Sequence, residues 1–329
     1  MITNPTRRRA TVKLLAPLVA LGLVAAACGS DSDDDSSSTD APTDSSAPAG
    51  SDVPTTEMEM MDGPTIRLRG QDFSESVTIA EVYGQFLHAK GYDVEVLTPA
   101  GFRTEAIDSI QNGDVDLIID YIGGSLTALV PDAPTSADPD EIAALIGPAY
   151  ADIGATLLNY SSAVDGDAFV VRGDSEATTI SDVAGLDYVF GGSAACFERE
   201  QCFIGYTDPD LYNITFADTV TLEFGPLLGE ALSAEEVDAV QWNTTAPQIA
   251  ENGFKVLEDD LGLHPAQNIA PIINTEVLDA YGAQLGADLD ELSALITTAD
   301  LLAWNTETDI ELRESDAVAT EWLEASGLI

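Results

Sequence analysis

From residue 65 onward the chain alternates short apolar strands with helices, and that alternation decides its fold class. Ile66 and Leu68 alternate with Arg67 and Arg69, as a half-buried strand requires. Asp72 and Glu75 form a D-x-x-E capping-box pattern ahead of Ile79, Val82, Tyr83 and Phe86 at helical spacing, with Gly91 as the stop. Val94 and Val96 alternate again, so residues 65–97 predict a strand–helix–strand unit, right-handed by the general rule for such crossovers. A second turn follows: a helix over 104–112, a stop at Gly113, and a buried-type strand over 115–120 running into Tyr121-Ile122-Gly123-Gly124-Ser125. Units of this kind build an open, largely parallel sheet.

A strand at Phe169-Val170-Val171 carries the chain into a second unit. Residues 179–186 read as helical, Tyr188-Val189-Phe190 as a short strand, and Gly191-Gly192-Ser193 as the loop behind it. A helix near 226–232, a strand at 239–241, a helix from about Pro247 and a strand at 255–257 continue the pattern. The tail from Thr275 is mostly helical, with Trp304 and Trp322 at core-facing positions. Both halves place glycine loops at the carboxyl ends of strands, where open α/β sheets bind ligands.

Ahead of the folded part, Arg7-Arg8-Arg9 and Lys13 precede an apolar run too short for a comfortable membrane span, ending in Ala25-Ala26-Ala27-Cys28-Gly29. This is a signal-peptide pattern whose end is similar to a bacterial lipoprotein lipobox. Residues 1–28 are therefore expected to be a leader and Cys28 to carry lipid, placing the protein on the extracytoplasmic face of the cell membrane. An uncleaved helix would give the same topology, and Arg7-Arg8 leaves a twin-arginine export route open beside the general one. Residues 29–63 are rich in Ser, Asp, Thr and Pro and hold no aromatic residue, so they read as a disordered acidic tether. Residues 64–329 remain as the folded part.

The net charge is −46, or −50 once the leader's four positive charges are gone, which argues against nucleic acid as a partner. The acidity reads either as solubility in saline surroundings or as attraction for cationic solutes. Cys196 and Cys202, with five residues between them in an exported chain, favour a disulfide. The rivals are a nucleophile or a metal site, and His88 and His264, the chain's two histidines, supply neither a base nor a zinc set. No nucleophile elbow, zincin motif, P-loop or dinucleotide fingerprint occurs, so neither an enzyme nor a cofactor nor a metal is expected. The Gly123-Gly124-Ser125 and Gly191-Gly192-Ser193 loops, if each opens a helix, offer free N–H groups to a carboxylate. Tyr121 can set its ring against a cation, worth about 0.5–2 kcal/mol.

Gly70-Gln71-Asp72-Phe73-Ser74-Glu75, with Ala80-Glu81-Val82-Tyr83 and Ala89-Lys90-Gly91-Tyr92 behind it, resembles the substrate-binding proteins of osmoprotectant ABC transporters, which bind glycine betaine, carnitine, choline or proline betaine. The resemblance continues through Gly113-Asp114-Val115-Asp116-Leu117, Asp120-Tyr121-Ile122-Gly123-Gly124, Thr179-Ile180-Ser181-Asp182-Val183, Val256-Leu257-Glu258-Asp259-Asp260, Asn268-Ile269-Ala270-Pro271 and Gly327-Leu328-Ile329. It implies a two-lobed α/β fold of the type II periplasmic-binding-protein kind, with open, mixed, mainly parallel sheets. Lobe one would be about 65–165 plus 268–329 and lobe two about 166–267, with hinges near 163–167 and 265–268. It implies a quaternary ammonium ligand, an ABC permease and a separate ATPase as partners.

Carried over by position, the resemblance assigns the ligand to Gln71, Asp72, Phe73, Tyr121, Gly124, Asp167, Trp242, Asn243, Thr244, Gln267 and Asn268, with Tyr121 as a cage tyrosine. Three departures thin that cage. Asp167 and Asn243 stand where family members carry aromatics, and Gln267-Asn268 stands in a segment that in many members begins with Tyr. Asp167 is expected to replace the lost ring faces by direct attraction for a cation in a closed cleft. A betaine would further need donors such as Arg199, Arg103, Gln71 or the Gly-Ser loops, whereas choline would not, and this tilts the expectation towards choline-like ligands. The alternatives are a different cationic solute or amino acid on the same fold, and an enzyme built on it.

Overall fold

A computed structural model describes residues 60–329; the leader, Cys28 and the tether up to residue 59 lie outside the described residues. The strands are β1 (Ile66–Arg69), β2 (Val94–Leu97), β3 (Leu117–Tyr121), β4 (Ala155–Leu157), β5 (Asp167–Val171), β6 (Val189–Gly192), β7 (Asp218–Thr221), β8 (Ala239–Asn243), β9 (Lys255–Val256) and β10 (Ile269–Asn274). They form two five-stranded sheets, ordered β2-β1-β3-β10-β4 and β7-β6-β8-β5-β9. Each sheet is the centre of one α/β lobe.

Both sheets are mixed, with two parallel and two antiparallel neighbour pairs each, so they are less parallel than the alternation of elements suggests. The cause is the double crossing between lobes. β5 enters lobe two antiparallel to β8, and β10 returns to lobe one antiparallel to β3. The two crossing segments pair with each other through an antiparallel bridge between Val164 and Asn268, with Ile269 N–H donating to the Ala163 carbonyl at 3.2 Å.

In lobe one, α1 (Ser74–Ala89) buries Ile79, Val82, Tyr83 and Phe86 against the sheet and the C-terminal helices, as its 3.6-residue period requires. The expected capping box is not formed. Phe73 is the extended N-cap with no side-chain cap, and Glu75 is buried, its carboxyl engaged elsewhere. Further along are α2 (Arg103–Asn112), closed by left-handed Gly113, α3 (Ile122–Leu129) and α4 (Pro139–Asp152). Trp304 is buried in this core and meets half-buried Trp322 edge-on at 5.2 Å.

In lobe two, the helix expected over 179–186 shrinks to one turn at Ser181–Val183. The Asp182 carboxylate accepts from Thr178 N–H, Thr179 N–H and Thr178 Oγ1, capping that turn locally, and Gly185 at φ +86° ends it. Cys196 and Cys202 are both buried and disulfide-bonded, with Cα atoms 5.3 Å apart.

Candidate functional site

β3 ends and α3 begins at the inner edge of lobe one, and α2 points Arg103, its first residue, at the same place. A cation at a helix N-terminus opposes the helix dipole, so it needs a local counter-charge. Asp120, its side chain wholly buried near the end of β3, supplies it: Arg103 Nε donates to Oδ1 and Oδ2 at 3.1 and 2.9 Å. Gln71 Nε2 and Ser125 Oγ donate to the same carboxylate, each at 2.9 Å. Burial works against the Arg103 charge, and Asp120 more than offsets it, so the guanidinium pKa is raised. The guanidinium lies flat over Gly124, where an added Cβ would fall 2.1 Å from Arg103 Cζ.

The facing wall comes from lobe two. Arg199 stands in the loop closed by Cys196 and Cys202, and its Nη2 donates to Asp167 Oδ2 at 2.7 Å. Gln241 Nε2 donates to the other Asp167 oxygen at 2.9 Å. Between the walls is a cavity of about 280 Å³, small enough to suit a small solute, bordered by Arg103, Gly124, Asp167, Arg199, Gln201 and Gln267 among others. Among the described residues no aromatic ring lines it.

Asp167 on the cavity wall and Asp120, buried behind Arg103, are already engaged by protein donors. The arginines are not: Nη1 and Nη2 of Arg103, and Nε and Nη1 of Arg199, make no hydrogen bond with the described residues. Gln267 spends its Oε1 on Gly124 N–H at 3.0 Å and keeps its amide donors open. The cavity is rich in unused donors from both lobes.

Apart from Trp242, the residues expected at the site separate into four groups. Gly124, Asp167 and Gln267 line the cavity. Gln71 sits behind it and holds Asp120, Asp72 is exposed, and Asn268 donates to the Ser161 carbonyl within the crossing. Tyr121 and Phe73, ring centres 6.1 Å apart, pack together away from the cavity wall. Asn243 and Thr244 close the turn after β8 onto Asp165 and Gly166.

Trp242 does not face the cleft. It is 2 % exposed, in the apolar core with Val240 and Leu228, its ring against Gly229. Strand alternation explains this, because Val240 and Trp242 share one face of β8 while Gln241 and Asn243 share the other. Asp167 is likewise not an open acid waiting for a cation, since Arg199 and Gln241 occupy it. At the first glycine loop the Gly124 N–H is already taken by Gln267, and the Ile122 N–H before it donates to the Asn268 carbonyl. In the second loop, Gly191 and Gly192 are packed against Val240, Leu222 and Cys196, and Ser193 caps the Ala194–Phe197 helix.

Sequence reasoning did not find Glu75, Asp165, Thr245 and Asn305, which form a buried knot at the crossing. Tyr121 OH donates to Glu75 Oε1 at 2.5 Å, while Thr245 Oγ1 and Asn305 Nδ2 donate to Oε2 at 2.7 and 2.6 Å. Asp165 accepts from Asn243 Nδ2 at 3.0 Å and is close enough to Glu75 for the two carboxyls to perturb each other's ionisation. Burial pushes the Glu75 pKa up; burial and then the Glu75 charge push Asp165 well up, since two adjacent carboxyls without a cation resist joint ionisation. Because Thr245 belongs to lobe two while Glu75 and Asn305 belong to lobe one, this knot ties the lobes together. The one signal in the sequence was Glu75 in an otherwise apolar helix face.

Two α/β lobes joined by a paired double crossing, with a charged cleft between them, define a solute receptor of the type II periplasmic-binding-protein class. The chain belongs to the family described as the substrate binding domain of ABC-type glycine betaine transport systems, whose model matches residues 64–325. It is 26% identical over 288 residues to a glycine-betaine-binding protein of Pseudomonas aeruginosa, covering 80% of this chain and 89% of the relative. It is 24% identical over 270 residues to the carnitine transport binding protein OpuCC of Listeria monocytogenes, covering 79% and 86%. A solved structure described as a glycine betaine/carnitine/choline ABC transporter superposes with a TM-score of 0.70 at 21% identity, covering 80% of this chain and 99% of that one.

Proposed function

We propose that this protein is a lipid-anchored receptor on the extracytoplasmic face of the membrane, capturing a small quaternary ammonium solute between its lobes. The solute is of the glycine betaine, carnitine and choline class named for its relatives, and it is passed to an ABC permease powered by a separate ATPase. The observation that carries this is the cavity at the lobe junction, which takes charged groups from both sides. A ligand favours the closed state only by contacts it loses on opening, and groups from both lobes provide them. The leader ending at Cys28 supports the anchor, which incorporation of labelled fatty acid into wild type but not Cys28→Ala would test.

Calorimetric titration with glycine betaine, carnitine, proline betaine and choline tests the ligand class. Saturable binding of at least one is expected; heat only from solutes lacking a quaternary ammonium group would overturn the ligand assignment. The ringless cavity favours one second reading, the same receptor taking another charged solute such as an amino acid.

A further inference from the structure

We propose that the buried Glu75–Asp165 pair is a proton-operated latch between the lobes: one proton on the pair holds the junction shut, and its loss drives the lobes apart and loosens the grip on the solute. The latch lies outside the cavity, and only its effect on affinity rests on the cleft being the ligand site.

The placement of the two acids carries the inference. Glu75, at the start of α1 in lobe one, is buried, and its two oxygens accept from Tyr121 OH, Thr245 Oγ1 and Asn305 Nδ2. Asp165 stands in the first crossing segment, yet its carboxyl is held by lobe two, through Asn243 Nδ2 at 3.0 Å and Thr245 N–H at 3.3 Å. A rotation of lobe two that carries Thr245 off Glu75 therefore carries the Asp165 carboxyl with it. Asn305 Nδ2 also donates to the Thr245 carbonyl at 3.1 Å, so the same rotation breaks three bonds between the lobes.

The groups that face the pair supply no positive charge. β3 contributes Tyr121 with Asp120 behind it, the turn after β8 contributes Asn243 and Thr245, the C-terminal helical segment contributes Asn305, and Asp72 on the α1 side is exposed. Among the described residues no lysine, arginine or histidine forms an ion pair with either acid. Arg103, the cation that acts on Tyr121, is held by Asp120. Two buried carboxylates with no cation between them repel each other, so one proton settles on the pair. Glu75, with three donors, is the better carboxylate, and Asp165, with two longer bonds, is the better acid. Burial and the Glu75 charge push the Asp165 pKa well up in the same sense.

Opening lets water reach both carboxyls and returns them towards the ordinary carboxylate range, so closure takes up a proton. The latch is complete below that range and is lost as pH rises through the raised value of the closed pair, by up to about tenfold in the closed-to-open ratio per pH unit. Solute binding draws on the same equilibrium, so affinity falls in step. Asn305 Oδ1, buried and without a partner among the described residues, adds a penalty to the closed junction that opening relieves.

The test is small-angle X-ray scattering of the purified, unliganded protein from about pH 5 to about pH 9, on wild type, Asp165→Asn and Glu75→Gln, with thermal unfolding confirming that each is folded at each pH. The wild-type radius of gyration is expected to rise with pH. Asp165→Asn, neutral at every pH, should keep the compact value throughout, and Glu75→Gln should also lose the pH dependence. Calorimetry with glycine betaine and choline, neither of which titrates in this window, should show wild-type affinity falling by up to about tenfold per pH unit with net proton uptake on binding, and a flat profile in Asp165→Asn. A wild-type radius that does not change with pH, or an Asp165→Asn variant that keeps the wild-type pH dependence, would overturn the latch. Scattering needs no solute, so pH-dependent opening in a protein that binds neither probe would uphold the latch and remove the quaternary ammonium reading.

Discussion

Gly124→Ala is the sharpest test of how the lobe-one wall is built. The added Cβ would lie 2.1 Å from Arg103 Cζ and 2.4 Å from each Nη, so the guanidinium must retreat by about 1.4–1.9 Å to reach an ordinary contact of about 3.5–4.0 Å. Arg103 Nε sits 2.9 Å from Asp120 Oδ2, and a shift of that size takes it out of hydrogen-bonding range. Losing a charge-assisted bond to a wholly buried carboxylate costs about 1.5–3 kcal/mol, with full loss of a buried pair's partner, about 3–5 kcal/mol, as a ceiling. Gln71 and Ser125 still hold Asp120, which keeps the loss near the lower figure. Alanine in place of glycine within α3 returns up to about 1 kcal/mol of helix propensity. The net expectation is about 1–2 kcal/mol of destabilisation, a fall of about 2–8 °C in Tm for a domain of this size, with solute affinity about tenfold weaker. Thermal unfolding and calorimetry read both quantities. A variant as stable as wild type with unchanged affinity would show that Arg103 is not held by this contact.

Glu75 and Asp165 carry raised pKa values, so the folded protein holds more protons than the unfolded chain above the ordinary carboxylate range. Stability from this knot is fullest below that range and declines as pH rises through the raised values, by at most about 1.4 kcal/mol per pH unit for each proton. Glu75→Gln should flatten the decline, measured as denaturation midpoint against pH; equal slopes would contradict it. Asp259 works in the opposite sense: burial is outweighed by bonds from His264 and Tyr212, its pKa is lowered, and its contribution is lost as pH falls into the acid range. Trp242→Phe should cost about 1–3 kcal/mol of stability in a tightly packed core yet leave solute affinity within about twofold, because the ring does not reach the cavity. Cys196→Ala with Cys202→Ala should cost about 2–3 kcal/mol from loop closure and weaken binding by loosening the Arg199 loop, both read by unfolding and titration in the same buffer.

Much of the fold could be read from the chain because its periodicities are local. The α1 face of Ile79, Val82, Tyr83 and Phe86 and the alternation at Ile66 and Leu68 fall where the pattern puts them. What could not be read is non-local. Central strand β10 contains Pro271, which argues against a strand in isolation, and it exists because β3 and β4 flank it. Of the residues that line the cavity, Gly124, Asp167 and Gln267 were expected by position from the resemblance, and Arg103 and Arg199 were named as donor candidates. Transfer of motif positions placed Trp242 in the cleft, but its own strand parity with Val240 already put it on the other face. Asp120 and Asp165 cannot be told from so many other acids until the fold shows what each holds.

A crystal structure of the protein grown with glycine betaine tests the central claim most directly. The account predicts the solute in the cleft, touching both lobes, between Arg103 and Arg199. A solute seated on one lobe alone, or outside the Arg103–Arg199 cavity, would contradict it.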